Sequence, residues 1–162
     1  MQKITPCLWF DKNGEEAMEF YTSIFKDSKI GKASRYNKEA AANMGMPEGS
    51  MLAATFELAG QKFMALNGGP MFKFTEAISL MIDCGTQEEV DYYWNALTAD
   101  GGEESMCGWL KDKFGLSWQV TPAALNDLMT NGTPEQSARV MAAMMKMKKI
   151  DIQTLQDAYD DK

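Results

Sequence analysis

The hydrophobic pattern changes period twice within the first quarter of the chain. Residues 4–11, ITPCLWFD, are apolar and β-prone, and Lys12-Asn13-Gly14 then turns the chain into EEAMEFYTSIF. In that segment Ala17, Phe20, Tyr21, Ile24 and Phe25 recur at spacings of three and four. The spacing predicts an amphipathic helix, with Glu15, Glu16 and Glu19 polar and close to its positive end. Three strand candidates follow at residues 29–36, 51–58 and 61–67, the last two joined by the short Ala59-Gly60 link of a hairpin. Residues 37–50 read as a short helix or a flap.

The same pattern then returns. Residues 76–97, EAISLMIDCGTQEEVDYYWNAL, align on residues 4–25 without a gap at a constant offset of 72. Leu80 falls on Leu8, Ile82 on Phe10, Asp83 on Asp11, Glu88 on Glu16, and Tyr92-Tyr93 on Phe20-Tyr21. The seam is FMALNGGPMFKFTEAISLMI, a strand that runs through a Gly-Gly-Pro break into the next strand. After the second helix come ESMCGWLKDKFG and a final strand, LSWQV, which leave room for fewer or shorter strands than in the first copy. From Thr121 the pattern is helical. Pro122 stands near one helix start, Thr133, Pro134 and Gln136 form a capping signature, and Asp151 can cap a last helix. Val140, Met144, Met147 and Ile150 make an apolar stripe. The expected fold is α+β: two repeated βαβββ-type modules, 1–70 and 71–121, the second abbreviated, and a C-terminal helical tail, 122–162.

Composition narrows the partners. The chain has 162 residues, is 45% hydrophobic and carries a formal charge of −7, so a nucleic-acid backbone would meet net repulsion. Lys146, Lys148 and Lys149 suit a helix end. Cys7, Cys84 and Cys107 fit neither a metal motif nor a disulfide framework, which points to reduced thiols in the cytoplasm. No window has the length of apolar sequence that a membrane span needs. The absence of histidine removes the commonest metal ligand and the commonest general base, including any that would activate Cys107.

The doubled βαβββ unit, with LWFD, EEAMEFYTSIF, FMALNGGPMF, CGWLKDKFGLSWQ and RVMAAMMKMKKIDIQTL, resembles the vicinal oxygen chelate superfamily of glyoxalases, dioxygenases and bleomycin-resistance proteins. It is most similar to the PhnB-like branch, often labelled 3-demethylubiquinone-9 3-methyltransferase, over nearly the whole chain. The resemblance implies glyoxalase-like curved mixed sheets that form cups, often across a dimer. It also implies a divalent metal held by His, Gln or Glu at matched strand positions. Those positions here carry Thr5, Ala65 or its neighbour Asn67, Ala77 and Gln119, of which only Gln119 is a plausible oxygen ligand. No metal and no cofactor are therefore expected. The methyltransferase label fits poorly, because no glycine-rich turn follows the first strand.

Strand alternation then extends the matched positions into cavity-facing rows: Thr5-Cys7-Trp9, Phe63-Ala65-Asn67, Ala77-Ser79-Met81 and Ser117-Gln119. The opposite rows are Leu8-Phe10, Met64-Leu66, Ile78-Leu80-Ile82 and Trp118-Val120, all apolar and expected beneath helices. The expected ligand-binding residues are Cys7, Trp9, Asn67, Ser79, Ser117 and Gln119, with no catalytic residue identified. The function expected is metal-independent binding of a small molecule, for sequestration or sensing, by a cytoplasmic homodimer without nucleic-acid or membrane partners. Two alternatives stand beside it: an isomerase, lyase or dioxygenase with an unrecognised metal site, and an interaction protein using its Met-rich tail.

Overall fold

The offset-72 repeat corresponds to two four-stranded mixed sheets with one topology. The computed structural model describes residues 2–162 and divides into two units, Met1–Lys73 and Phe74–Lys162. In the first unit β1 (Cys7–Phe10), α1 (Gly14–Ile24), β2 (Lys29–Arg35), α2 (Lys38–Met44), β3 (Met51–Leu58) and β4 (Gln61–Asn67) follow in order. Its strands are arranged β1-β4-β3-β2. In the second, β5 (Ser79–Cys84), α3 (Gln87–Thr98), β6 (Glu103–Glu104), β7 (Trp109–Lys111) and β8 (Ser117–Pro122) are arranged β5-β8-β7-β6. Each sheet has one parallel pair, β1 with β4 and β5 with β8. The second copy is shortened in strand length and keeps all four strands.

One helix packs on one face of each sheet. The apolar stripe of α1 buries Ala17, Met18, Tyr21 and Ile24, and the Tyr21 ring stacks on Phe56, which in turn stacks on Phe63. In the second unit α3 buries Val90, Trp94 and Leu97 on the side where Ile82, Leu110, Trp118 and Val120 are also buried.

The parity of β4 differs from the expectation. Leu8 pairs with Ala65 and Phe10 with Asn67, whereas Trp9 pairs with Leu66 and Cys7 with Met64. Residues paired across neighbouring strands share a face. Phe63, Ala65 and Asn67 therefore lie under α1, all nearly inaccessible, and Met64 and Leu66 lie on the uncovered face. Ile78 departs as well: it precedes β5 and is 73% exposed instead of packed under a helix.

Asn67 explains why a polar side chain sits in that interior. Its Oδ1 accepts from the Gly14 N–H at 2.8 Å, and its Nδ2 donates to the carbonyls of Lys12 (3.3 Å) and Met51 (3.2 Å). Asn13, at the N-cap of α1, makes no side-chain cap bond, so Asn67 takes one of the helix's orphan donors instead. The approach needs glycine at position 14, where a Cβ would lie 2.6 Å from Asn67 Oδ1. The Tyr36 hydroxyl closes the cluster by donating to the Asn67 carbonyl at 2.7 Å.

The tail folds as α4 (Ala123–Asn131), α5 (Pro134–Met144) and α6 (Ile152–Asp160) around Val140, Ile150 and Leu155. Thr133 and Gln136 form the capping box, and Asp151 caps α6. The expected stripe is interrupted, since α5 ends at Met144 and Met147 and Ile150 lie beyond it. The backbone N–H groups of Cys107 and Gly108 donate to the Met147 and Lys148 carbonyls, both at 2.8 Å. Gln87 adds bonds to the Ile150 carbonyl and the Ile152 N–H. The tail is thus part of the second unit's interior.

Asn67→Ala is expected to destabilise the protein by about 2–4 kcal/mol, because it strands the buried Gly14 N–H and two carbonyls. Urea unfolding followed by circular dichroism measures this. A loss smaller than that of an ordinary surface substitution would refute the anchoring role.

Candidate functional site

A helix on one face leaves the other face of each sheet uncovered. In the second unit that face carries two cross-strand rows. Met81, Gln119 and Trp109 are register partners in one; Ser79, Ser117, Lys111 and Glu103 are register partners in the other. The segment LKDKFGL builds the short connection that sets this pairing. Asp112, 3% exposed, accepts from the N–H groups of Phe114 (2.9 Å) and Leu116 (3.1 Å) through Oδ1. Its Oδ2 accepts from the Trp118 indole at 2.8 Å. Gly115 takes the left-handed conformation (φ 84°) that the turn requires. A buried carboxylate with three donors fixes the hairpin, and with it the placement of Lys111 opposite Ser117.

Of these residues Trp109, Lys111, Ser117 and Glu103 line a cavity of about 370 Å³, together with Glu76 and Glu104, and Trp109 is its aromatic wall. Lys111 is ion-paired with Glu76. The hydrogen bond between them, with their mutual attraction, holds the Glu76 carboxyl below its ordinary range and the Lys111 ammonium above its own. Glu104 also borders the cavity, but its carboxylate accepts from the Trp94 indole at 3.0 Å and pairs with Lys148. Gln119 Nε2 donates to Ser79 Oγ at 2.8 Å. Ser117 is 1% exposed, and its hydroxyl has no hydrogen-bond partner among the described residues. A buried polar atom left unpaired costs free energy and is the kind of group that a bound ligand satisfies.

The uncovered face of the first sheet differs. It carries Cys7, Trp9, Met64 and Leu66, and a hollow of about 150 Å³ beside Lys29, Thr55 and Lys62. Trp9 donates its indole N–H to the Gly69 carbonyl at 2.8 Å and meets Phe72 edge-on at 4.9 Å. Its ring lies against Gly68, where a Cβ would come within 2.3 Å of it. The indole is therefore engaged with the chain that leaves β4.

The expected site residues thus fall into three groups. Ser79, Ser117 and Gln119 come together on the uncovered face of the second sheet. Cys7 and Trp9 share the corresponding face of the first. Asn67 was expected beside Trp9 and instead lies on the helix side, with its amide already bonded. Trp109, Lys111 and Glu76 were missed. Alternation carried back from Gln119 across the LKDKFGL turn would have found Trp109 and Lys111, whereas no strand pattern reaches Glu76.

The donor set does not fit a superfamily-type metal. Among the described residues no group of three or more His, Cys, Asp or Glu could hold an ion. Two of the thiols are poor ligands as they stand: burial, with Glu89 and Asp83 nearby, pushes Cys84 up to about 11, and burial also raises Cys7. No helix of the described residues is long and apolar enough to cross a membrane.

A family model described as 3-demethylubiquinone-9 3-methyltransferase matches residues 2–121. The match stops short of the helical tail, over which the resemblance was expected to continue. A solved PhnB protein from Bacillus cereus, described as a 3-demethylubiquinone-9 3-methyltransferase, is 42% identical over 75% of this chain and 100% of its own, with a TM-score of 0.66. Protein PA1353 from Pseudomonas aeruginosa is 20% identical over 75% of this chain and 98% of its own, with a TM-score of 0.59. The fosfomycin resistance protein FosX from Listeria monocytogenes is 16% identical over 78% and 94%, with a TM-score of 0.55; these last two likenesses concern the fold alone. No curated protein matches.

Ser117→Ala is expected to raise the stability of the ligand-free protein by about 1 kcal/mol, since it removes an unpaired buried hydroxyl while keeping the packing. Thermal unfolding measures the change. A fall in Tm would mean that the hydroxyl has a partner in the free protein.

Proposed function

We propose, for a chain that belongs to the 3-demethylubiquinone-9 3-methyltransferase family, the PhnB-like branch of the vicinal oxygen chelate superfamily, that it binds a small molecule without a metal and acts as a homodimer that sequesters or senses its ligand. The observation that carries this reading is the cavity on the uncovered face of the second sheet, where Trp109 stands beside the unpaired Ser117 hydroxyl. A flat apolar wall with a few fixed polar groups is the usual make-up of a small-ligand site. The lining supports metal independence, because it holds no histidine or cysteine and two of its three carboxylates, Glu76 and Glu104, are paired with Lys111 and Lys148. Methyl transfer from a dinucleotide-type fold is not part of the reading, since each sheet has a single parallel pair and three of its four strands run in antiparallel contacts. A cytoplasmic setting agrees with Cys7, Cys84 and Cys107 remaining free thiols.

Apolar exposure supports self-association. Met64 and Met81 lie on the uncovered sheet faces at 37% and 58% exposure, and Met71 and Phe72 are exposed as well. Large apolar side chains left on the uncovered face of a sheet are surface that association would bury.

In a thermal-shift screen of small metabolites, at least one class is expected to raise Tm, and Trp109→Ala should abolish the rise while leaving the ligand-free Tm close to wild type. A shift that survives Trp109→Ala would move the site elsewhere, and no shift from any class would remove the binding function. Light scattering is expected to give twice the 18.1 kDa chain mass. A monomer at micromolar concentration would contradict the dimer.

A further inference from the structure

The charge balance of the second-unit cavity decides the sign of the ligand it can hold. Three carboxylates line it, Glu76, Glu103 and Glu104, against one ammonium, Lys111. Two of the three are engaged, Glu76 with Lys111, and Glu104 with Lys148 and the Trp94 indole. Glu103 is opposite Lys111 in the register of β6 and β7 and has no ion-pair partner of its own among the described residues. With Lys148 counted, three carboxylates face two ammoniums, which leaves a surplus of one negative charge. An anion entering here would meet that surplus, and the single lysine of the lining is already taken. A metal ion would lack ligands, because no group of three or more His, Cys, Asp or Glu among the described residues could hold one.

Acidic charge alone would be an ordinary solvated surface. Two further features point to a bound molecule. The Ser117 hydroxyl, on a residue 1% exposed, has no hydrogen-bond partner among the described residues and belongs to the lining. A hydroxyl both accepts and donates, so Ser117 does not choose the charge, but it offers an acceptor to an N–H that the protein itself leaves unmet. Trp109 lies two residues from Lys111 on β7, hence on the same face, and the face of an indole attracts a cation as well as an apolar body. Lys111 is the cation that the structure itself places there. Its side chain is 36% exposed and that of Glu76 is 61% exposed, and an exposed pair of this kind is weak and exchangeable.

We propose that this cavity takes a small organic ammonium ion with a flat or apolar body, whose charge replaces that of Lys111 beside Glu76 and Glu103, whose N–H is donated to the Ser117 hydroxyl and whose body lies against Trp109. The proposal rests on the reading of this cavity as the ligand site and adds the ligand's class and an internal competitor for it.

Isothermal titration of the full chain with benzylammonium, benzyl alcohol and benzoate tests it in the wild type, Glu103→Gln and Lys111→Gln. Benzylammonium should bind the wild type more tightly than either of the other two probes. Glu103→Gln should weaken it about threefold, and Lys111→Gln should tighten it about threefold by removing the competing ammonium. Damage to the fold does not produce a tighter site, so Lys111→Gln separates the effect of charge from a structural one. Glu103 lies on an exposed two-residue edge strand, so Glu103→Gln decides the matter even where Lys111→Gln folds poorly. The proposal is overturned by benzoate binding as tightly as benzylammonium, by absence of benzylammonium binding, or by either folded variant leaving benzylammonium affinity unchanged or moving it the other way. If benzylammonium fails while another class gives a Trp109-dependent thermal shift, the ammonium assignment falls and the cavity remains the ligand site. If no class binds, both fall.

Discussion

Each sheet of this protein has its covering helix on one face, so the parity of every strand decides whether a side chain belongs to the core or to the uncovered face. The anchor of that arrangement in the first unit is Asn67, whose buried amide holds the start of α1 through Gly14 and Lys12 and ties it to β3 through Met51. A covering helix needs its first N–H groups satisfied, and an interior amide on the neighbouring strand does this without exposing the helix end to water. Once α1 is fixed over Leu8, Phe10, Phe63 and Ala65, the opposite residues Cys7, Trp9, Met64 and Leu66 have no choice of face. The second unit reaches the same arrangement with different means. There Thr86 caps α3 directly by accepting from the Glu89 N–H, and a buried carboxylate, Asp112, fixes the hairpin.

Much of this was legible in the sequence because helix and strand periods leave separate marks. The offset-72 repeat identified two units of one topology, the limits of β3 and β4 were read residue for residue, and the caps at Thr133 and Asp151 lie where the spacing put them. The parity of β4 was not legible. Asn67 is polar and follows Leu66, so it reads naturally as the exposed member of the pair, and the row inferred from family ligand positions had the same bias. Only the parallel register with β1 shows that Asn67 stands beside Phe10. Buried polar residues satisfied by backbone groups distant in sequence leave no periodic signal.

The second-unit site was half legible for a related reason. Ser79, Ser117 and Gln119 sit on regular strands where alternation applies. Trp109 and Lys111 sit on a three-residue strand before a turn, too short to carry a pattern of its own, and Asp112 reads as an ordinary charged turn residue until its three donors are seen. Glu76 lies outside any strand and enters only through its ion pair with Lys111. The same logic accounts for the tail. Its helices are apparent from periodicity and caps, but their attachment to Cys107 and Gly108 is made by backbone groups, which any sequence could supply.

On the proposed function, ligand meets the uncovered face of the second sheet at Trp109. Four tryptophans, Trp9, Trp94, Trp109 and Trp118, serve as built-in reporters, because the Trp94 and Trp118 indoles are buried on the helix side and bonded to Glu104 and Asp112. The most direct measurement is a ¹H–¹⁵N correlation spectrum of the indole resonances, assigned by single substitution, with and without the compound giving the largest thermal shift. The Trp109 resonance is expected to move with ligand concentration while that of Trp118, bonded to the buried Asp112, stays in place. A stationary Trp109 at saturating ligand would contradict it.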